Sequence, residues 1–150
     1  RNSYKEKKLI AMIKQLIPFI FLQILFSNTP KYDDAQISGM LKNYFLSTEN
    51  APTLIGQRFY LNRGEMTFQL EIESTIEDVN DALLFSFNAV SRFTNISKTI
   101  FTHSILVMHF GENAYPTIAK TEIECSKDFF VRGNIKEDKW RKNCLTIGGN

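Results

Sequence analysis

The sequence predicts an α+β fold: an antiparallel sheet of two hairpins packed with helices in the order α-ββ-α-ββ-α, preceded by an apolar N-terminal helix. Three patterns carry this. Met66, Phe68, Leu70 and Ile72 alternate with Glu65, Thr67, Gln69, Glu71 and Glu73, the period-two signature of a strand with one wet face. Ile37, Met40, Leu41, Tyr44 and Phe45 recur at helical spacing, as do Val79, Leu83, Phe87 and Val90. Leu9 to Phe26 is an apolar run interrupted only by Lys14, Gln15, Pro18 and Gln23.

The charge divides where that run ends. The head carries Arg1, Lys5, Lys7, Lys8 and Lys14 against Glu6, while the other 13 basic and 15 acidic side chains leave the body mildly acidic. A basic flank before an apolar run is the pattern that keeps an N-terminus in the cytoplasm. At about 1.5 Å per residue the run just spans a hydrocarbon core of about 30 Å. Lys14 lies close enough to the basic side to snorkel, and membrane helices tolerate proline better than soluble ones. The reading adopted is a single-pass anchor over residues 9–26, with Leu9, Ile13, Ile17, Phe21 and Leu25 as membrane contacts. A cleaved signal peptide lacks its small-residue site at Leu25-Phe26-Ser27-Asn28, and a buried or partner-packed helix is the remaining alternative. Residues 1–30 thus form flank and anchor, and residues 31–150 a single α+β domain.

Within the body, Asp33-Asp34 opens a helix that suits acidic groups at its positive end and that Pro52 stops beyond Ser47–Asn50. Arg58–Asn62 and Glu65–Glu73 follow as a hairpin turning at Asn62-Arg63-Gly64. Ser74-Thr75-Ile76-Glu77 reads as a capping box launching the longest helix. Leu84 and Phe85 lie off that helix's main stripe, so it is expected to be sandwiched between layers or to touch a partner. Ser104–Phe110 is nearly all apolar, the mark of a central strand covered on both faces. Thr117–Cys125 alternates, Ser126 starts a short helix broken at Gly133, Asn134 recaps it through Trp140, and Leu145 and Ile147 lie in a last strand or tail. The expected core sets Met66, Phe68, Leu70 and Ile72 under Val79, Leu83, Phe87 and Val90.

At 150 residues, 43% hydrophobic and 23% charged, the chain is ordinary globular material, and a net charge of +2 is no nucleic-acid footprint. Two Cys and two His are too few for a zinc site of soft ligands with anything to spare. No phosphate-binding loop, HExxH, GxSxG or CxxC motif occurs. His103 and His109 share a strand face but are separated by about 20 Å of strand, too far for one metal ion. Glu71 with Glu73 and Glu122 with Glu124 would gather four carboxylates if their strands were neighbours, although alternating glutamates ordinarily mark a solvated face. Trp140 sits among Arg132, Lys136, Lys139, Arg141 and Lys142, read as a solvated helix with its indole in the core. Cys125 and Cys144 are the candidate disulfide, which requires an oxidising compartment. No catalytic residue, metal site or cofactor is expected.

In element order alone the body resembles the small α+β chaperones of bacterial type III secretion, which also run helix, strands, helix, strands, helix. That resemblance implies a soluble dimer holding a partner protein. The basic, apolar head departs from the acidic character of those chaperones, and no motif is shared residue by residue. The function expected is therefore a non-enzymatic, membrane-anchored protein–protein interaction or assembly module with its α+β domain outside the cytoplasm, periplasmic or extracellular. The alternatives are a cytoplasmic, chaperone-like dimer and a small enzyme with an unrecognised site.

Overall fold

The computed structural model describes residues 31–111 and 114–148. The apolar helix expected over residues 9–26 lies outside them. In chain order the elements are α1 (Asp34–Ser47), β1 (Thr53–Asn62), β2 (Glu65–Glu73), α2 (Val79–Ile96), β3 (His103–His109), β4 (Thr117–Glu122), α3 (Ile123–Phe130), α4 (Glu137–Asn143) and β5 (Leu145–Gly148). The class is α+β, and the strands form one five-stranded sheet in the order β1-β2-β3-β4-β5.

The sheet is mixed, which corrects the antiparallel expectation. β2 and β3 run parallel, from Thr67 opposite His103 to Glu73 opposite His109, while the other three pairings are antiparallel. The reason lies in the connection. Parallel neighbours need a crossover longer than a turn, and α2, with 18 residues, carries the chain back so that β3 starts at the same end as β2.

Asp33 caps α1 through a reciprocal box: its carboxylate accepts from the Gln36 amide at 2.9 Å, and its own N–H donates to Gln36 Oε1 at 3.1 Å. At the far end Thr48 satisfies the Tyr44 carbonyl twice, through its N–H at 3.1 Å and its hydroxyl at 2.7 Å. β1 starts at Thr53, earlier than the expected Arg58, and a bulge intervenes between Leu54, opposite Ile72, and Gly56, opposite Glu71. Arg63 and Gly64 have φ of 52° and 85°, the two left-handed positions of a type I′ hairpin turn.

The capping box expected at Ser74 and Glu77 is not used. Ser74 still belongs to the sheet's hydrogen bonding, its N–H donating to the His109 carbonyl at 3.0 Å. A turn takes its place: the Asp78 N–H donates to Thr75 Oγ1 at 3.1 Å, and that hydroxyl donates to the Asp78 carboxylate at 2.9 Å. α2 then starts at Val79.

α2 is apolar on several sides because it meets several layers. Ala82, Leu83, Phe87 and Val90 join the core with Phe68, Leu70, Ile72, Leu106 and Met108 of the sheet, while Met66 and Val79 are partly buried against it. On another side Phe85 stacks on Tyr44 of α1 with ring centroids 5.3 Å apart, and towards α4 Phe87 meets Trp140 edge-on at 5.8 Å.

β4 also ends early. The Ile123 N–H donates to the Thr102 carbonyl at 2.9 Å and the chain turns into α3, so Cys125 lies on a helix rather than at a strand end. Ile123 and Ser126 are buried at helical spacing, a pattern the alternating letters had concealed. Gly133, with φ of 67°, breaks the chain after α3. Asn134 does not recap it; its side-chain amide donates to Asp128 at 2.9 Å, and α4 begins at Glu137.

Phe87 is 1% exposed at the junction of sheet, α2 and α4. Phe87→Ala is expected to cost about 3–5 kcal/mol in urea unfolding, because little around it is free to collapse into the void. A loss below about 1 kcal/mol would mean that the core does not close on this ring.

Candidate functional site

The four helices among the described residues contribute to a single core cluster, and the strand residues in it come from one side of the sheet. The other side carries Arg58 and Tyr60 of β1, Thr67, Gln69 and Glu71 of β2, and His103, Ile105, Val107 and His109 of β3, followed by Ile118, Lys120 and Glu122 of β4. Among the described residues no helix covers this face. β3 is therefore central but covered on one side only: Ser104, Leu106 and Met108 are buried, whereas Ile105 and Val107 are half-buried.

A polar network crosses the β1 side of the open face. Tyr60 donates to Gln69 Oε1 at 2.9 Å, the Gln69 amide donates to Glu71 Oε1 at 3.0 Å, and Arg58 reaches the same oxygen at 2.7 Å. His109 Nε2 lies 3.9 Å from Glu71 Oε2 and has no hydrogen-bond partner although the atom is buried. At the opposite end of β3, His103 Nδ1 is 3.1 Å from Glu65 Oε2.

The four glutamates do not assemble. β3 separates β2 from β4, so Glu71 sits beside Val107 and Glu122 beside His103, at the other end of β3. Glu124 has left the sheet for α3, where it pairs with Lys127 and Arg132. His103 and His109 occupy the two ends of β3. Among the described residues no group of three or more His, Cys, Asp or Glu side chains is placed to hold a metal ion.

Cys125 on α3 and Cys144 at the end of α4 stand at disulfide distance with Cα atoms 5.9 Å apart. Their chain separation of 19 residues corresponds to a loop-closure stabilisation of about 3 kcal/mol. Beneath them Trp140 is fully buried, its indole N–H donating to Ser126 Oγ at 3.0 Å, and that hydroxyl meets Thr121 Oγ1 at 2.8 Å. The relay satisfies three buried polar groups at once and joins α4, α3 and β4. The membrane contacts Leu9, Ile13, Ile17, Phe21 and Leu25 lie outside the described residues. Among those described, no helix is long and apolar enough to cross a membrane.

The sequence reading gave β2 a wet face but missed that β3 shares it. Ser104–Phe110 suggested a doubly covered strand because nearly every letter is apolar. The signal that reveals the face lies in the neighbours: β2 shows Gln69 and Glu71, and β4 shows Lys120 and Glu122, on the side that Ile105 and Val107 must share. No family model matches the chain, and no curated protein or solved structure shows significant similarity to it.

The loop after α3 is held by charge. Arg132 donates to the Glu124 carboxylate at 3.1 Å, to the Glu124 carbonyl at 2.8 Å and to Asp128 at 2.7 Å. Hydrogen bonding from Lys127 foremost, and from Arg132, holds Glu124 below the usual carboxylate range. The Asn134 amide foremost, then Arg132, does the same for Asp128, and these carboxylates raise the Arg132 guanidinium. Depressed carboxylates stabilise the fold above their unfolded-state pKa and lose that contribution as pH falls through the folded one. The stability difference between the wild type and Arg132→Ala is therefore expected to be full at neutral pH and to vanish in acid, below the ordinary carboxylate range. A difference independent of pH across that window, in paired urea melts, would count against the assignment.

Proposed function

We propose that the protein is a membrane-tethered protein-binding module whose α+β domain works outside the cytoplasm and receives a folded partner protein on the open face of its sheet. The observation that carries this reading is the face itself: apolar Ile105 and Val107 at its centre, ringed by charges of both signs at Arg58, Glu71, Lys120 and Glu122. An apolar centre within a polar rim is the anatomy of a protein–protein interface. A surface that mixes signs in this way suits a protein partner better than an anionic lipid surface, which calls for a basic stretch.

Two further observations support the location. Cys125 and Cys144 stand at bonding distance, which fits an oxidising compartment. The basic flank and the apolar run over residues 9–26 supply the tether.

The test joins location to face. The full chain is expected to stay with membranes through an alkaline wash, with both cysteines resistant to alkylation until reduced. A photo-crosslinking residue replacing Lys120 is expected to give one adduct of defined mass in the native host, abolished by Val107→Arg. Release into the wash with two reactive thiols would overturn the location. An unchanged adduct in the Val107→Arg chain would overturn the use of this face.

A further inference from the structure

We infer that the seam between α1 and the free edge of β1 is a strand-addition site for an extended peptide carrying an apolar side chain and a carboxylate. This surface is separate from the open face, and a different set of observations supports it.

Among the described residues β1 ends the sheet and pairs only with β2. Among the described residues, no other element hydrogen-bonds to the backbone of Thr53–Gln57. An edge of this kind presents a row of N–H and C=O groups to any incoming strand. Proteins guard edges with charges, prolines or bulges; the bulge in β1 frees one residue without burying it. Here the freed residue is Ile55, 53% exposed, and the neighbouring helix end adds Leu46, 78% exposed.

Between these two side chains lies a groove of about 390 Å³ whose lining includes Phe45, Leu46, Leu54 and Ile55. A second recess of about 260 Å³, lined in part by Ala35, Arg58 and Phe59, continues along the same seam beyond Ser38 and Gln57. Gln57 bridges the two, its amide donating to the Ser38 carbonyl at 3.0 Å and to the Ser38 hydroxyl. Its Oε1 is buried and has no donor among the described residues.

Charge selects the occupant. Lys42 stands on the groove wall and takes no ion pair among the described residues. No residue lining the larger groove is a carboxylate, so a second copy docking through the same groove would bring nothing to Lys42. A peptide whose strand carries Asp, Glu or a terminal carboxylate beside an apolar residue satisfies Lys42 and the apolar wall together. Main-chain pairing supplies affinity, and alternate side chains supply selection.

The experiment uses the full chain in detergent and two N-acetylated, fluorescently labelled hexapeptides, Val-Thr-Ile-Thr-Val-Asp and its Asn-amide counterpart. The acidic peptide is expected to bind roughly fivefold more tightly, the size of one exposed ion pair. Binding should protect the amides of Thr53–Gln57 from hydrogen exchange. Lys42→Glu, an exposed change, is expected to reverse the preference, and Ile55→Arg to weaken both peptides. Equal binding of the two peptides, no binding, or protection confined to β3 and β4 would overturn the inference. Val107→Arg is expected to leave peptide binding unchanged. Its loss in that variant would place the peptide on the open face, overturning this inference while leaving the protein-binding reading standing.

Discussion

The burial of Phe87 between the sheet and Trp140 is the contact on which the rest of the domain depends. It requires α2 to lie flat across the strands, and a helix in that position returns the chain to the end from which β2 began. β3 must then run parallel to β2, and the sheet becomes mixed. Because α1, α3 and α4 all add to the cluster that α2 starts, the helices among the described residues accumulate on one face and leave the other uncovered by any of them. The open face is thus a consequence of where the core was built.

The C-terminal third is secured twice over, by unlike means. The Trp140–Ser126–Thr121 relay and the aromatic contacts of Phe129 and Phe130 with Trp140, at 5.5 and 5.0 Å, act in the folded state. The Cys125–Cys144 closure acts mainly by limiting the unfolded chain. Short helices such as α3 and α4 gain little from propensity alone and depend on such tertiary ties. Reduction would remove one tie and leave the other, so α4 has reason to remain docked when the cysteines are free.

Legibility of the sequence followed how local each cause was. The α1 stripe, the β2 alternation, the break at Gly133 and the burial of Trp140 were readable because each depends on a few adjacent residues. The β2–β3 direction was not, since it depends on a crossover whose outcome no single window contains. The end of β4 was misread because Ile123 and Cys125 fit a strand while Ile123 and Ser126 fit a helix equally well. The cysteine pair was legible as a candidate, but its closure needed the three-dimensional turn between α3 and α4. The open face required comparing three strands, whereas β3 alone suggested a covered one.

The start of β1 shows how one irregularity both hides an element and creates a surface. Leu54 and Phe59 both pack against the core, and strict alternation would send them to opposite faces. The bulge between Leu54 and Gly56 restores the phase, so that Leu54 meets Ile72 while Phe59 meets Phe68. A period-two reading therefore breaks at Ile55 and recovers only after it, which is why the strand became visible from Arg58 onwards. The same extra residue has no partner across the ladder, and this leaves Ile55 standing outward beside Leu46. The residue that corrects the core is thus the one that opens the groove.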